Sequence, residues 1–481
     1  MGPLGLLFLA AASHLVLAVV VATRILRRPQ EPPAMVAWIF AVLFVPGLGA
    51  MLYWILGSHR LRRKLRRRRR RVAHLLERWR AHVDPRGLRP TLADLPEDLA
   101  GIAELGRRLA GVPAIGGNMV SILEESNATY AALEQALRDA RQHIHMEYYI
   151  WQPDDTGRHF RDLVAERARA GVECRVLLDA VGCRRIRRDF LRPWLKAGVR
   201  VAFFLPLYPL RLRKRWTVHL RNHRKVVVVD GHTAFLGSQN IGDEYRGRLR
   251  RLSPWYDTHM RICGPAALFA QQTFAEDWYY ATREALDREA YFTPPRQCGD
   301  CIVQVLPTGP DQPVSVLAQI VFAAVSSARG TIRIATPYFV PDLAIRMALE
   351  HACYRGVRVR LVLPSRSDSR LALWAARSFY PELLEAGVEI HEYDGGVLHS
   401  KIVTVDDRWC MLGSANMDVR SFRLNFETTA LIYDQPVAAG LTASIDRFCA
   451  RARRIGAQQV WHRPLKEQLK EGAARLLAPL L

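Results

Sequence analysis

Asn222-His-Arg-Lys-Val-Val-Val-Val-Asp-Gly-His-Thr-Ala-Phe-Leu-Gly-Ser-Gln-Asn240 is the stretch that decides the fold, because its pattern returns at His399 to Asn416. In the first copy His223, Lys225 and Asp230 are followed by Gly237, Ser238 and Asn240. In the second, His399, Lys401 and Asp406 are followed by Gly413, Ser414 and Asn416 at identical spacings. Between His and Asp each copy carries a mostly apolar run, Val226 to Val229 and Ile402 to Val405, long enough for a buried strand. Strand side chains alternate faces, so a His and a Lys two residues apart point to the same side. Two such units can bring two imidazoles and two ammonium groups to one point. One copy alone would read as surface decoration or a satisfied core histidine; six matched positions in two copies argue against that.

Lysine usage points the same way. The chain has 69 basic residues, of which seven are lysines, yet one lysine sits in each motif. Were basic positions filled indifferently, Lys at both would occur about one time in a hundred, so these sites need an ammonium and not a guanidinium.

HxKxxxxD followed by GSxN, present twice, resembles the phospholipase D superfamily. The continuation Asn416-Met-Asp-Val-Arg-Ser-Phe-Arg-Leu-Asn-Phe-Glu427 resembles the bacterial cardiolipin synthases, and the likeness runs over nearly the whole chain. It implies an α/β fold in which two phospholipase D-like mixed-sheet sandwich domains form a pseudo-dimer within one chain, preceded by two transmembrane helices.

The order of the chain supports this. The formal charge of +23 calls for an anionic partner, nucleic acid or a membrane surface. Leu4 to Thr23 and Met35 to Leu56 carry no charged residue, and each is long enough to cross a hydrocarbon core of about 30 Å. Pro46 and Gly47 either kink the second segment or fold it into a re-entrant hairpin; the sequence leaves both open. His14 is expected to pack between helices. Ten of the twelve residues from Arg60 to Arg71 are basic, against Arg24, Arg27 and Arg28 between the two segments. The positive-inside rule then puts everything after Leu56, and the N-terminus too, in the cytoplasm of a multi-pass inner-membrane protein. Beside a span, the partner of this collar is anionic lipid and not nucleic acid.

The expected domains are residues 1–57, two transmembrane helices; 58–112, polybasic juxtamembrane segment and linker; 113–297, first phospholipase D-like domain; and 298–481, second such domain with a C-terminal amphipathic helix. The last two align: Ala140 to Trp151 with Ala328 to Phe339, Ala170 to Leu178 with Arg355 to Leu363, and Leu195 to Val199 with Leu384 to Val388. The first half alone inserts Leu205 to Leu220, rich in Arg, Lys, Trp and apolar residues, which reads either as a membrane-facing lip of the active site or as an ordinary loop. The helix from Pro464 to Leu481 either packs on the second domain or lies on the bilayer. Cys298 and Cys301 form a lone CxxC without further ligands, and the eight cysteines suggest no disulfide framework.

Attack on a phosphodiester needs its charge balanced, a nucleophile, and an acid for the leaving alkoxide. Lys225 and Lys401 supply charge; Ser238, Asn240, Ser414 and Asn416 are candidate phosphate-binding donors. The two imidazoles fill the remaining roles. Sequence symmetry cannot rank them; the resemblance implies that His223 is the nucleophile forming a phosphohistidine and His399 the acid and then base. Such imidazoles need orienting carboxylates, and Asp257 in Tyr256-Asp-Thr aligns with Glu427 in Phe426-Glu-Thr. Asp230 and Asp406 complete the catalytic motifs that the resemblance marks, but at the far end of the strands they are expected to make structural salt bridges. The scheme requires no metal or other cofactor, and no HExxH-type spacing is present.

Anchor, collar and resemblance together favour phosphatidylglycerol as donor and acceptor, giving cardiolipin and glycerol, with anionic membrane lipids as partners. The alternatives are another membrane phosphatidyltransferase or a phospholipase D and, from a different class, a nucleic-acid-binding protein or nuclease on the same scaffold, against which the membrane segments argue.

Overall fold

The computed structural model describes residues 2–27, 32–54, 94–206, 220–249, 253–292 and 296–478. The polybasic collar and most of the Leu205 to Leu220 insert lie outside the described residues. The chain divides into two units, one of Met1–Arg67 with Leu207–His219 and one of the remainder.

In the first unit Pro3–Leu26 is a 24-residue helix of leucine, valine and alanine that leaves most of its apolar side chains uncovered. At 1.5 Å per residue it is about 36 Å long, enough for a bilayer core. The second expected span is not one helix. Pro32–Phe44 has 13 residues, about 20 Å, and the chain then reverses at Val45 to Gly47, where Gly47 takes φ +69°. A five-residue helix, Leu48–Leu52, runs back along it. The return is tight: a Cβ on Gly49 would meet the Ala41 carbonyl oxygen at 1.9 Å, so only glycine fits. His14 Nε2 lies 3.0 Å from the Leu43 carbonyl, and the Arg24 guanidinium sits 4.5 Å over the Trp54 ring. The segment 32–54 therefore rises to the level of His14 and returns to the level of Arg24, the hairpin alternative rather than a second crossing. His14 packs between helices, as its position in an apolar run suggested.

The second unit is built on one 16-stranded mixed sheet. From edge to edge it runs Ala452–Arg454, Glu389–Tyr393, Arg358–Pro364, Thr331–Ala335, Ile402–Val405, Trp409–Gly413, Asn425–Tyr433, Cys301–Thr308, Ile115–Leu123, His259–Cys263, Thr233–Gly237, Lys225–Val229, His143–Tyr148, Glu173–Asp179 and Arg200–Phe204. Arg221–Asn222 pairs off this path with Asn425–Tyr433. Outward from the antiparallel contact of Ile115–Leu123 with Cys301–Thr308, seven strands follow the same order on both sides, with Ala452–Arg454 added at one edge, so the repeated sequence makes a repeated topology. Val226 to Val229 are buried, as an unbroken β-branched run demands of a strand covered on both faces. Trp151, Phe160 and Trp194 fill the helix layer against it, each burial contributing about 2–3 kcal/mol.

The motif strands end in tight reversals, with Asp230, Gly231, Asp406 and Asp407 all at φ between 52° and 73°. The aspartate carboxylates lock these turns to the neighbouring strand. Asp230 accepts the backbone N–H groups of Arg141, Gln142 and His143 at 2.8, 2.7 and 2.9 Å. Asp406 accepts those of Arg329, Gly330 and Thr331 at 2.9, 2.7 and 2.8 Å. The expectation was salt bridges; for Asp406 the partners among the described residues are instead peptide amides left over where a strand begins, and Asp230 accepts three such amides as well. The C-terminal helix, Leu465–Leu476, packs on the helix Arg370–Arg377, with Lys470 Nζ 5.6 Å from the Trp374 ring. All eight cysteines are free.

Candidate active site

Each motif histidine stands just before its apolar strand, in a two-residue pairing with the opposite half. Arg221–Asn222 runs parallel to Asn425–Phe426, and His223 N–H donates to the Phe426 carbonyl at 2.9 Å. Val397–Leu398 runs parallel to Trp255–Tyr256, and His399 N–H donates to the Tyr256 carbonyl at 2.8 Å. The carboxylate that follows each acceptor strand is thereby delivered to the other half's imidazole. Glu427 meets His223 Nδ1 with both oxygens at 3.0 Å, and Asp257 Oδ1 meets His399 Nδ1 at 2.7 Å. Both carboxylates are buried. Each holds the Nδ1 tautomer proton and leaves Nε2 for chemistry. Glu427 is itself fixed by Ser414 Oγ at 2.5 Å and Asn425 Nδ2 at 3.1 Å, and Asp257 by Trp255 Nε1 at 2.7 Å.

Lys225 and Lys401 are pinned in the same way: each Nζ donates to the carbonyl of its own motif histidine at 2.7 Å. The Lys401 ammonium also lies 3.2 Å from His399 Nε2. Tyr149 stands edge-on to the His223 ring, centroids 4.8 Å apart, with Lys225 Nζ 5.2 Å from its own ring centroid.

Burial sets the electrostatics. It pushes the Lys225 ammonium down to about 7 and Lys401 to about 8, against the attraction of Glu427 and Asp257. It pushes His223 to about 4 despite Glu427, and lowers His399 despite Asp257. Burial would raise the carboxylates, but the facing imidazole and ammonium groups prevail and hold Asp257 and Glu427 below the usual range. The resting site thus holds two neutral imidazoles between two ionised carboxylates and two weakly held ammonium protons.

His223, His399, Asn240 and Asn416 line one cavity of about 360 Å³. Asn240 Oδ1 accepts the Ile150 N–H at 3.1 Å, which turns its amide donors to other partners. The serines are elsewhere. Ser238 Oγ gives its one proton to the Thr258 carbonyl at 2.9 Å, Ser414 Oγ gives its own to Glu427, and both are buried behind the histidines. They brace the carboxylate layer and do not face the cavity, which corrects their assignment as phosphate donors. Asp230 and Asp406 stand at the far ends of their strands, in the turns described above, and neither is among the residues that line the cavity. The cavity wall also holds Tyr149, Trp255, Tyr338, Asp368, Arg420 and Asn425, which the repeat did not single out. Asn425 had a signal, two residues before Glu427 on the same strand face; Tyr338 and Asp368 had none, because the first half carries Ile150 and Cys183 at the matching positions.

The family described as "Cardiolipin synthase, PLD-like domain" matches residues 133–247 and 321–449, and "Phospholipase_D-nuclease N-terminal" matches 16–58. The chain is 36% identical over 457 residues to a cardiolipin synthase of Geobacillus kaustophilus, covering 94% of this chain and 90% of that one. It is 40% identical over 362 residues to cardiolipin synthase 2 of Bacillus cereus, covering 75% and 70%. Among solved structures, the phosphatidylserine synthase of Haemophilus influenzae superposes with a TM-score of 0.59 at 17% identity, over 79% of this chain and all of that one, a likeness of fold. Two histidine motifs, crossed carboxylates and relatives matched along nearly the full length agree on one assignment: the chain belongs to the cardiolipin synthase family of the phospholipase D superfamily.

Proposed function

We propose that this protein transfers a phosphatidyl group between two phosphatidylglycerol molecules, giving cardiolipin and free glycerol. The observation that carries the reading is the pair of carboxylate-bound imidazoles on a single cavity, in a chain whose full-length relatives are cardiolipin synthases. His223 Nε2 attacks phosphorus, the bond to the glycerol oxygen breaks, and His399 gives that oxygen its proton. His399, now neutral, takes the proton of the acceptor hydroxyl; that oxygen attacks phosphorus and the P–N bond breaks, returning His223 neutral. Glu427 and Asp257 offset the charge that each ring carries in turn. Lys225 and Lys401 balance the nonbridging oxygens, with the amides of Asn240 and Asn416 as further donors. The substrate anion raises the depressed pKa values of His399 and the lysines, so the acid is protonated when it is needed. One phosphodiester is exchanged for another, and no nucleotide is consumed.

The same reading takes residues 113–297 and 298–481 as two phospholipase D-like domains in a pseudo-dimer, with 58–112 as juxtamembrane linker. It places the protein in the inner membrane with the catalytic body cytoplasmic, held there by the basic collar. Only Pro3–Leu26 is then a full crossing; 32–54 dips in and returns, and the N-terminus lies on the opposite side from the body. A cysteine placed ahead of Pro3 should react with an impermeant reagent from outside, while a reporter after Leu481 behaves as cytoplasmic. The decisive assay is labelled phosphatidylglycerol given to membranes that contain the protein, without nucleotide. Cardiolipin with an equivalent of glycerol supports the reading; phosphatidic acid as the sole product refutes it.

A further inference from the structure

One proton carrier serves both halves of the exchange, which fixes where the alcohols must sit. The leaving glycerol is protonated by His399 and the incoming hydroxyl is deprotonated by it, so both occupy the same ground on the His399 side of the cavity. That ground is unlike the His223 side. Trp255 lies against the His399 ring, centroids 5.0 Å apart, and Tyr338 and Asp368 line the wall with them. The Tyr338 hydroxyl donates to Asp368 Oδ1 at 2.6 Å, and Ser367 Oγ to the same oxygen at 3.2 Å. Among the described residues nothing donates to Asp368 Oδ2.

A carboxylate on the wall of a cavity that receives a phosphodiester anion is unfavourable for the phosphate, so its use is elsewhere. Fixed through Oδ1 and open at Oδ2, it is an acceptor for a neutral hydroxyl, and a hydrogen bond to a charged acceptor is among the stronger ones. A glycerol headgroup has two free hydroxyls: one can meet His399 while its neighbour donates to Asp368. Methanol and water have no second hydroxyl to give. The matching positions of the other half are Ile150 and Cys183, whose thiol turns away to donate to the Tyr149 carbonyl at 3.4 Å, so the feature belongs to one side only.

Resting on the transfer reading above, we propose that Asp368, held by Tyr338, forms a polyol subsite beside His399 that binds the leaving glycerol and the glycerol headgroup of the acceptor in turn, and so selects a vicinal diol over water and simple alcohols.

The test uses partition of one intermediate. The full-length protein in detergent–lipid micelles receives phosphatidylglycerol together with deuterated glycerol and methanol at fixed concentrations, and deuterated phosphatidylglycerol, phosphatidylmethanol and phosphatidic acid are counted by mass spectrometry. All three arise from the same phosphoenzyme, so the ratio of the first two reads acceptor capture alone and is insensitive to a slower donor step or to partial unfolding. Asp368→Asn should lower that ratio about tenfold or more, and Tyr338→Phe about threefold, the carboxylate there keeping only Ser367. A ratio within twofold of the wild type in both variants overturns the subsite, whatever happens to total turnover. Should Asp368→Asn give no product, the Tyr338→Phe ratio decides. Phosphatidic acid as the only product of the wild type would refute transfer itself, and is seen before any variant is made.

Discussion

The crossed carboxylates make a prediction that separates the two imidazoles. Glu427→Gln keeps the size of the side chain and an acceptor for Ser414 and Asn425, but removes the charge facing His223 and adds an N–H₂ group. In the wild type, His223 Nδ1–H donates to a buried carboxylate at 3.0 Å, and that charge offsets the positive ring formed once Nε2 binds phosphorus. A hydrogen bond to a charged group contributes about 1.5–3 kcal/mol. The amide of the variant can also donate to Nδ1, which moves the ring proton to Nε2 and removes the nucleophilic lone pair. Together these come to about 4 kcal/mol, or about a thousandfold in the rate of phosphoenzyme formation. Asp257→Asn strikes His399, so with a nitrophenyl phosphodiester, whose leaving group needs no proton, its phosphoenzyme should still form and then fail to turn over. Rapid quench with a ³²P-labelled ester reads both. The reasoning is refuted if the Glu427 variant shows a normal burst of labelled enzyme while the Asp257 variant shows none. A thermal melt of each preparation reports whether the fold is intact.

Lys225→Arg and Lys401→Arg should each lower turnover of phosphatidylglycerol about a hundredfold or more, equivalent to about 2.7 kcal/mol. Because both stems are buried against a backbone carbonyl, the larger guanidinium should also cost about 1–3 kcal/mol of stability by overpacking, read in a melt. Near-normal turnover in both variants would mean that charge alone suffices. With burial holding the lysines at about 7 and about 8, the ammonium forms are present below those values and lost above them, so kcat/KM should fall as pH rises from 7 to 9; a flat profile there contradicts the assignment. Asp406→Ala orphans three backbone amides and should cost about 2–3 kcal/mol of stability, with the proportion of cardiolipin to phosphatidic acid unchanged at a permissive temperature; an altered proportion would return this aspartate to the chemistry.

How far the sequence could be read depended on whether a feature repeats. The two motifs, the strands they sit on and the matched positions Asp257 and Glu427 were legible because the chain carries each twice. Which carboxylate serves which imidazole was not, since it depends on two short parallel pairings, Arg221–Asn222 with Asn425–Phe426 and Val397–Leu398 with Trp255–Tyr256, that join residues about 150 to 200 apart in sequence and leave no local pattern. The serines of GSxN misled because a hydroxyl has one proton to give, and packing decides where it goes; here it goes to Thr258 and Glu427. The second apolar segment misled because hydropathy counts length without direction, whereas Gly47 reverses the chain and Gly49 lets two backbones touch. Tyr338 and Asp368 stayed hidden for the opposite reason to the motifs: they exist once.

The scarcity of lysine can now be given a physical reason. Burial holds the Lys225 and Lys401 ammonium groups at about 7 and about 8, because a histidine carbonyl and the facing carboxylates replace only part of the hydration lost. Under the proposed transfer that deficit prepares the site for substrate: nonbridging oxygens would restore the lost contacts, and would do so best when their charge is largest, in the pentacoordinate transition state. A guanidinium is more weakly hydrated to begin with and does not lose its proton in a protein, so burying one stores less of this and presents a planar fork to a centre that is not planar. Arginine meanwhile suits the rest of the chain: 62 of the 69 basic residues are arginine, and they pair with carboxylates at the surface, as Arg107 with Glu104, and in the interior, as Arg224 with Asp277. Two lysines in an arginine-rich chain are what the proposed transfer needs if its cations are to be small, poorly solvated and able to donate to the oxygens of one phosphate.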